Sequence, residues 1–368
     1  MQIGIDITPL TKTPTGVGLY TRYLLRELVS LESPDRFCGL ATGVRTLDEE
    51  NIPVRHVHLP LPTRMMYQLY HLARRPHADT LLGGVDVFHA VNYVLPPLKR
   101  ARGVLSIHDL GFLRDAGWFS PKIMRPFARA IRGDAHRADT VIAVSEATAK
   151  DVCSFLDVAP EKIRVIHEAA DSLFEAVERE TASRQVRDAL NIMTPYLLFV
   201  STVEARKNVT GLLTAFAKAD IPHRLVIAGG AGWRSAEVFE TAERLHLSDR
   251  VVFTGYLRDR ALFPALYSAA DAFVFPSWHE GFGLPVLEAM ACGCPVITSN
   301  LSSLPEVGGD AALYVDPADN EDLTVKMEQV AGDAVLRDAM RSKGLARAGE
   351  FSWRKCAEET LECYRSLI

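Results

Sequence analysis

Short runs of β-branched and apolar residues alternate with amphipathic stretches along almost the whole chain. No other feature limits the fold as strongly. The runs QIGIDI, FCGLA, VDVFHA, GVLSIHD and TVIAVS occupy the first half. YLLFVS, RLVIAGG, RVVFTG, AFVFPS, CPVITS and ALYVD occupy the second. Between them apolar positions recur at helical spacing, as Leu212, Leu213, Phe216 and Ala219 do. Parallel strands need a long crossover, usually a helix, so this pattern predicts an α/β fold with parallel sheets. At 368 residues, two domains are expected.

The alternation breaks once. From Glu168 to Thr194 the segment is charged and mixed, and no strand pattern is visible. The division expected is an N-terminal domain over 1–170, a linker over 171–193 and a C-terminal domain over 194–351. The terminal helix, within 352–368, is an element that can pack back on the first domain. Both domains are expected to be Rossmann-like, with their sheets facing across a cleft. Open parallel sheets bind ligands beyond the carboxyl ends of their strands, so the chemistry belongs in the strand-to-helix loops.

Composition excludes several classes. Hydrophobic residues make up 48% and charged residues 24%, which is ordinary globular composition and rules out intrinsic disorder. A net charge of −5 excludes a nucleic-acid polycation. No stretch of 18 apolar residues is present, so no transmembrane helix is expected. The opening MQIGIDITPL carries Asp6 within its apolar run and reads as a first strand rather than a signal peptide. The six cysteines match no zinc-ligand spacing and read as reduced thiols.

Four constellations carry chemistry. Thr15-Gly16-Val17-Gly18 lies between the first strand and a helix, where glycines allow close backbone approach and free N–H groups face an anion. It lacks the third glycine of the dinucleotide-binding fingerprint, which argues against a NAD-dependent dehydrogenase. His108-Asp109 directly follows the strand VLSI; it suits polar contact with a sugar or acid/base work, or alternatively a simple cap by Asp109. Glu204-Ala205-Arg206-Lys207-Asn208 follows YLLFVST, and its adjacent Arg and Lys at a helix start suit a diphosphate. The most specific is Trp278-His279-Glu280-Gly281-Phe282-Gly283-Leu284-Pro285-Val286-Leu287-Glu288. Its glycines can cradle phosphate oxygens, Pro285 suits a first helical turn, and its carboxylates suit sugar and ribose hydroxyls.

Glu280 and Glu288 match the two ends of the E-x7-E signature of retaining glycosyltransferases of family 4, which have the GT-B fold. The resemblance runs over nearly the whole chain through PTGVGLYTRYLLREL, VFHAVNYVLPPL, IHDLGFL, VIAVSEATAKDV, VEARKNVTGLLTAF, LVIAGG, VVFTGYL and LPEVGGDAALYVDP. It implies that Glu288 holds the ribose hydroxyls of a nucleotide sugar. Arg206 and Lys207 would neutralise its diphosphate, aided by backbone N–H groups of Gly16, Gly18, Gly281, Phe282, Gly283 and Leu284. Glu280 would contact the donor sugar, His108 would orient the reacting sugar, and the backbone at Tyr256 and Leu257 would meet the base. One departure stands out: many members carry Gly-Arg where this chain has Ser201-Thr202, so one phosphate-binding arginine is absent. In this respect the chain resembles bacterial mannosyl- and rhamnosyltransferases of surface polysaccharide and lipopolysaccharide synthesis.

The activity implied is retaining, metal-independent transfer of a hexose, mannose or rhamnose favoured, from a nucleotide sugar to a glycan or lipid-linked acceptor. No cofactor is expected. GDP-mannose is the favoured donor, with GDP-, UDP- and dTDP-sugars open. A nucleotide-sugar 2-epimerase on the same fold and a two-lobe sugar-binding protein are the alternatives. The expected location is the cytoplasm, with peripheral contact to an anionic membrane. Between Pro60 and Thr140 twelve Lys and Arg stand against six Asp. Arg125, Arg129, Arg132 and His136 follow one helical face, and Met65, Met66, Tyr67 and Tyr70 are interleaved with Arg64, Arg74 and Arg75.

Overall fold

The computed structural model describes residues 1–11, 16–45, 52–119, 121–193 and 195–368, without the side chains of 121–123, 125, 126 and 129. The chain divides into two compact units. One comprises 1–114, 121–168 and 352–368; the other comprises 115–120 and 169–351.

The first unit holds seven strands: β1 (Gln2–Asp6), β2 (Arg36–Thr42), β3 (Arg55–Leu59), β4 (Val87–Ala90), β5 (Arg102–Ile107), β6 (Thr140–Ala143) and β7 (Ile163–Val165). Their spatial order is β3-β2-β1-β4-β5-β6-β7, and every pairing is parallel. The order reverses between β1 and β4. Central strands such as β4 and β6 are buried along their whole length, which explains their mostly apolar sequences; the polar exceptions are His89 and Thr140. Two of this unit's helices start on side-chain caps: Ser145 accepts from the Thr148 amide, and Ser352 from the Lys355 amide.

The terminal helix Trp353–Arg365 buries Trp353, Cys356, Ala357, Leu361 and Tyr364 in this unit, against the helix Gly16–Ser30. A chain of contacts stitches it to the sheet. The Tyr364 hydroxyl meets His89 Nδ1 at 2.6 Å, His89 Nε2 meets Ser106 Oγ at 2.7 Å, and Ser106 Oγ meets the Tyr20 hydroxyl at 3.1 Å. All four side chains are fully buried. Burial, and then the neighbouring His108, push the His89 imidazole down to about 3, so it is neutral at physiological pH.

The second unit holds six strands: β8 (Tyr196–Val200), β9 (Arg224–Ala228), β10 (Val251–Gly255), β11 (Ala272–Phe275), β12 (Val296–Ser299) and β13 (Ala312–Val315). They are parallel, in the order β10-β9-β8-β11-β12-β13, and the order reverses between β8 and β11. After β9 the backbone passes so close to β8 that a Cβ on Gly229 would lie 1.8 Å from the Ser201 carbonyl oxygen, so only glycine fits there. The stretch 171–193 contains the helix Arg179–Leu190, whose Ala182 and Val186 are buried and which packs on the helix Phe263–Ala269.

Of the basic face expected on the helix Pro121–Arg137, the structure describes the side chains of Arg132 and His136. Arg132 pairs with Asp157 at 3.2 Å, and His136 Nε2 donates to the Leu156 carbonyl at 2.9 Å. The Arg125 and Arg129 side chains lie outside the described residues. In the helix Thr63–Leu72, Met66 and Tyr70 face the core, and His71 Nε2 bonds Asp134 at 3.1 Å. The residues left exposed are Leu61, Met65, Leu69 and Leu72, with Arg64, Arg74 and Arg75 beside them in sequence. Among the described residues no helix is long and apolar enough to cross a membrane.

Candidate active site

In the second unit the loops after β8 and β11 leave the sheet at its reversal, where open parallel sheets form a ligand crevice. After β8 the chain makes a short turn, Ala205–Lys207, and Asn208 takes a left-handed conformation before the helix Val209–Lys218. The Asn208 amide donates to the Pro317 carbonyl at 2.8 Å and fixes that turn. Arg206 and Lys207 are thereby carried into the loop after β11. The Trp278 amide donates to the Arg206 carbonyl at 2.9 Å, joining the two loops through the backbone.

Glu280 is the centre of this cluster. Its Oε1 accepts from Lys207 Nζ at 2.6 Å and from Ser277 Oγ at 2.5 Å, and its Oε2 meets Arg206 Nη1 at 2.9 Å. Arg206 also reaches Glu204 at 3.1 Å and the His279 carbonyl. Burial pushes the Glu280 carboxyl up, but the Arg206 and Lys207 charges and the bonds from Lys207 and Ser277 outweigh it and hold it at about 2. For Lys207 burial dominates, followed by repulsion from Arg206; together they outweigh Glu280 and Glu204 and move the ammonium below its ordinary range. Two cations and two carboxylates are therefore held together with little solvent access.

The glycine loop closes the other side. Gly283 has φ of 113°, a conformation that favours glycine, and it precedes the helix Leu284–Ala291 with Pro285 in its first turn. Ser303 Oγ donates to the carbonyls of Glu280 and Phe282 at 3.0 and 2.6 Å, and Ser302 Oγ also donates to the Glu280 carbonyl. These serines hold the loop's carbonyls on hydrogen bonds within the protein. Glu288 lies one turn into that helix and accepts from the Tyr267 hydroxyl at 3.3 Å. Burial pushes its carboxyl up to about 8, against Arg260 and the Tyr267 bond and with Asp171 adding to the rise. Tyr256 and Leu257 follow β10, with Tyr256 exposed and Leu257 half-buried.

Residues 115–119 also belong to this unit. Trp233 Nε1 donates to the Gly117 carbonyl at 3.1 Å, the Trp118 ring stacks on His279, and the Arg206 guanidinium lies over the Phe119 ring. Nothing in the local sequence announces this role. Ser302, Ser303, Tyr267, Arg260, Trp118 and Phe119 act through contacts distant along the chain and carry no local sequence signal, whereas Ser277 lies three residues from Glu280 and reads locally as the end of a strand.

In the first unit, Gly16 opens the helix Gly16–Ser30 and is exposed, with open space where a Cβ would sit; Gly18 is buried. Thr15 lies outside the described residues. His108 follows β5. Its Nδ1 bonds Glu168 Oε1 at 2.8 Å and its Nε2 bonds the Val91 carbonyl at 2.9 Å. Both partners are acceptors, so both ring nitrogens donate. Burial opposes the charge, but Glu168 and the Val91 carbonyl raise the imidazole above its ordinary value. An imidazolium holding both bonds has no lone pair for a base, so this geometry offers fixed charge and orientation. Asp109 accepts from the Gly111 amide at 3.0 Å and fixes the turn after His108.

Glycosyltransferase sequences match both units. The family model described as "Glycosyltransferase Family 4" matches residues 14–172, and that described as "Glycosyl transferases group 1" matches residues 183–347. The chain is 31% identical over 391 residues to the Escherichia coli protein "O-antigen chain mannosyltransferase B", covering 100% of both chains. Its structure is similar to that of sucrose-phosphate synthase from Thermosynechococcus elongatus, with a TM-score of 0.78 and 21% identity, covering 100% of this chain and 98% of the other. It is also similar to Anabaena HepE in complex with UDP and glucose, with a TM-score of 0.77 and 21% identity, covering 100% of both chains. With its two parallel-sheet, Rossmann-like units of the GT-B kind, the chain is a glycosyltransferase and belongs to glycosyltransferase family 4.

Proposed function

We propose that this glycosyltransferase moves a hexose, mannose in the favoured case, from a nucleoside diphosphate donor to a glycan or lipid-linked glycan of a surface polysaccharide, with retention at the anomeric carbon. The observation that carries the reading is the Arg206–Lys207 pair held by Glu280 at the reversal of the second sheet. The name of the Escherichia coli relative, an O-antigen chain mannosyltransferase, supports the sugar and the product, with GDP-mannose as the donor.

The glycosidic bond forms between the acceptor oxygen and the anomeric carbon as the bond from that carbon to the diphosphate oxygen breaks. The electron pair leaves on the nucleoside diphosphate. A leaving phosphate oxygen on the same face accepts the acceptor's hydroxyl proton. Arg206, Lys207 and the N–H groups of residues 281–284 stabilise the developing charge before it forms, which is the effective arrangement for electrostatic catalysis. This preorganised charge is what makes the transfer metal-independent. An ionised carboxylate offers about four lone-pair sites, of which three on Glu280 are taken by Arg206, Lys207 and Ser277. The fourth receives a donor-sugar hydroxyl, and Glu288 receives the ribose diol.

The lipid-linked acceptor comes from an anionic membrane. The dock proposed is the basic face of the helix Pro121–Arg137 together with the exposed apolar row Leu61, Met65, Leu69 and Leu72 and Arg64, Arg74 and Arg75. Each well-placed cation contributes about 1 kcal/mol at such a surface.

The test is a thermal-shift screen with GDP-, UDP- and dTDP-sugars. A donor at 100 times its dissociation constant stabilises by about 2.7 kcal/mol. Nuclear magnetic resonance of the product formed with GDP-mannose, in excess chelator, then gives the anomeric configuration. No shift with any nucleotide sugar, an inverted product, or loss of turnover restored by magnesium or manganese overturns the corresponding part.

A further inference from the structure

A second charged cavity lies at the opposite end of the second sheet, at the amino ends of β11 and β12. Its volume is about 320 Å³, within the range of small-molecule sites. Three arginines line it: Arg179 at the start of the helix Arg179–Leu190, and Arg337 and Arg341 one helical turn apart on the helix Ala334–Ala348. Two aspartates share the lining, Asp271 and Asp338.

The arginines are not equivalent. Arg179 pairs with the buried Asp271. Arg337 donates to the carbonyls of Val330 and Ala331 at 2.7 and 2.8 Å and stands 3.6 Å from Asp271. Asp271 also accepts from His223 at 2.8 Å, so its charge is already shared among three neighbouring groups. Arg341 makes no ion pair among the described residues. Its guanidinium lies against Gly293, where a Cβ would come within 3.1 Å of it, and Gly293 has φ of 67°. The backbone thus shapes a bed for a guanidinium whose donors have no acceptor among the described residues. Asp338 is exposed and can turn to solvent.

We propose that this cavity binds a small phosphorylated anion, with Arg341 supplying a two-pronged contact to phosphate and Arg337 and Arg179 supplying charge. Guanidinium groups suit this task because their planar donors match two phosphate oxygens at once. The site does not share a residue with the Arg206–Lys207 cluster and does not depend on the reading of that cluster.

Calorimetric titration of the full chain with inorganic pyrophosphate, at ionic strength matched with sodium chloride, tests it. Because pyrophosphate can also occupy the Arg206–Lys207 cluster, the wild type is expected to bind at two sites. Arg341→Ala should abolish one of them or weaken it at least tenfold, and Arg341→Lys should restore part of the affinity. Circular dichroism confirms that both variants are folded. Equal stoichiometry and affinity in the wild type and Arg341→Ala would overturn the proposal, whether the wild type binds at one site or two.

Discussion

Each unit buries a polar cluster near the carboxyl ends of its central strands, and the two are built on opposite principles. In the first, Tyr364, His89, Ser106 and Tyr20 are neutral, and each hydroxyl or ring nitrogen finds a partner inside the chain. Such a network is complete as it stands and orders the terminal helix against the sheet. In the second, Arg206 and Lys207 are balanced by Glu204 and Glu280. Full charges taken out of water are costly, and a chain that only needed to hold two loops together could use apolar residues instead. The difference teaches where to look for function: a satisfied neutral network is architecture, whereas balanced buried charges are a site whose counter-ions can be exchanged for those of a substrate.

The largest effect that would test this contrast is on the charged cluster. Lys207→Met leaves Glu280 underpaired and should cost about 3–5 kcal/mol in urea titration. Adding Glu280→Gln to it should cost less than the sum of the two single changes. A loss under about 1 kcal/mol for Lys207→Met would mean that the cluster is effectively solvated. Tyr364→Phe removes one bond from a neutral chain and should cost about 1–3 kcal/mol by leaving His89 short of a partner. Amide hydrogen exchange should then rise first in the helix Trp353–Arg365; unchanged exchange there would separate the helix from the network.

The two clusters should also separate by pH. His89 ordinarily titrates at 6.5 and is held at about 3 when folded, so the unfolded chain binds the extra proton and stability falls as pH drops through that window. Glu280 is lowered from 4.5 to about 2, so its contribution is present above 4.5 and is lost as pH falls toward 2. His89→Gln should flatten the melting-temperature slope between pH 6.5 and 5, where Glu280 is silent; an unchanged slope there would assign it elsewhere. Glu288 titrates in the opposite sense, raised from 4.5 to about 8. The folded state binds more protons than the unfolded one in that interval, so the wild type should lose stability as pH rises from 5 to 8. Glu288→Gln should lose less, and equal loss would mean that Glu288 is already ionised.

The central strands were legible because both of their faces are covered, which leaves their sequences apolar or nearly so, as in AFVF of β11 and TVIA of β6. β3 and β7 were not. They are edge strands, RHVHL and IRV, without a fully buried position, and nothing in such sequences demands burial. The helix Arg179–Leu190 buries only Ala182 and Val186, too thin a stripe to stand out in a charged segment. At the site, Arg206, Lys207 and Glu280 announced themselves by charge next to strand ends. Their mutual pairing did not, because it joins residues 73 positions apart. Residues 115–119 were read as part of the first domain for the same reason: the contacts with Trp233, His279 and Arg206 are invisible locally.

Because the first unit resumes at Ser352 after yielding the chain at Glu168, the second unit is threaded into the first as an insert. A cut anywhere in 169–351 therefore does not release a finished first half. A fragment ending at residue 170 would lack the helix Trp353–Arg365 and lay bare the apolar flank that Trp353 and Tyr364 cover. Donor preference should instead be portable as a cassette, exchanging 169–351 between relatives at two seams, with residues 115–119 exchanged in register so that the aromatic contacts to the transplanted loops are kept.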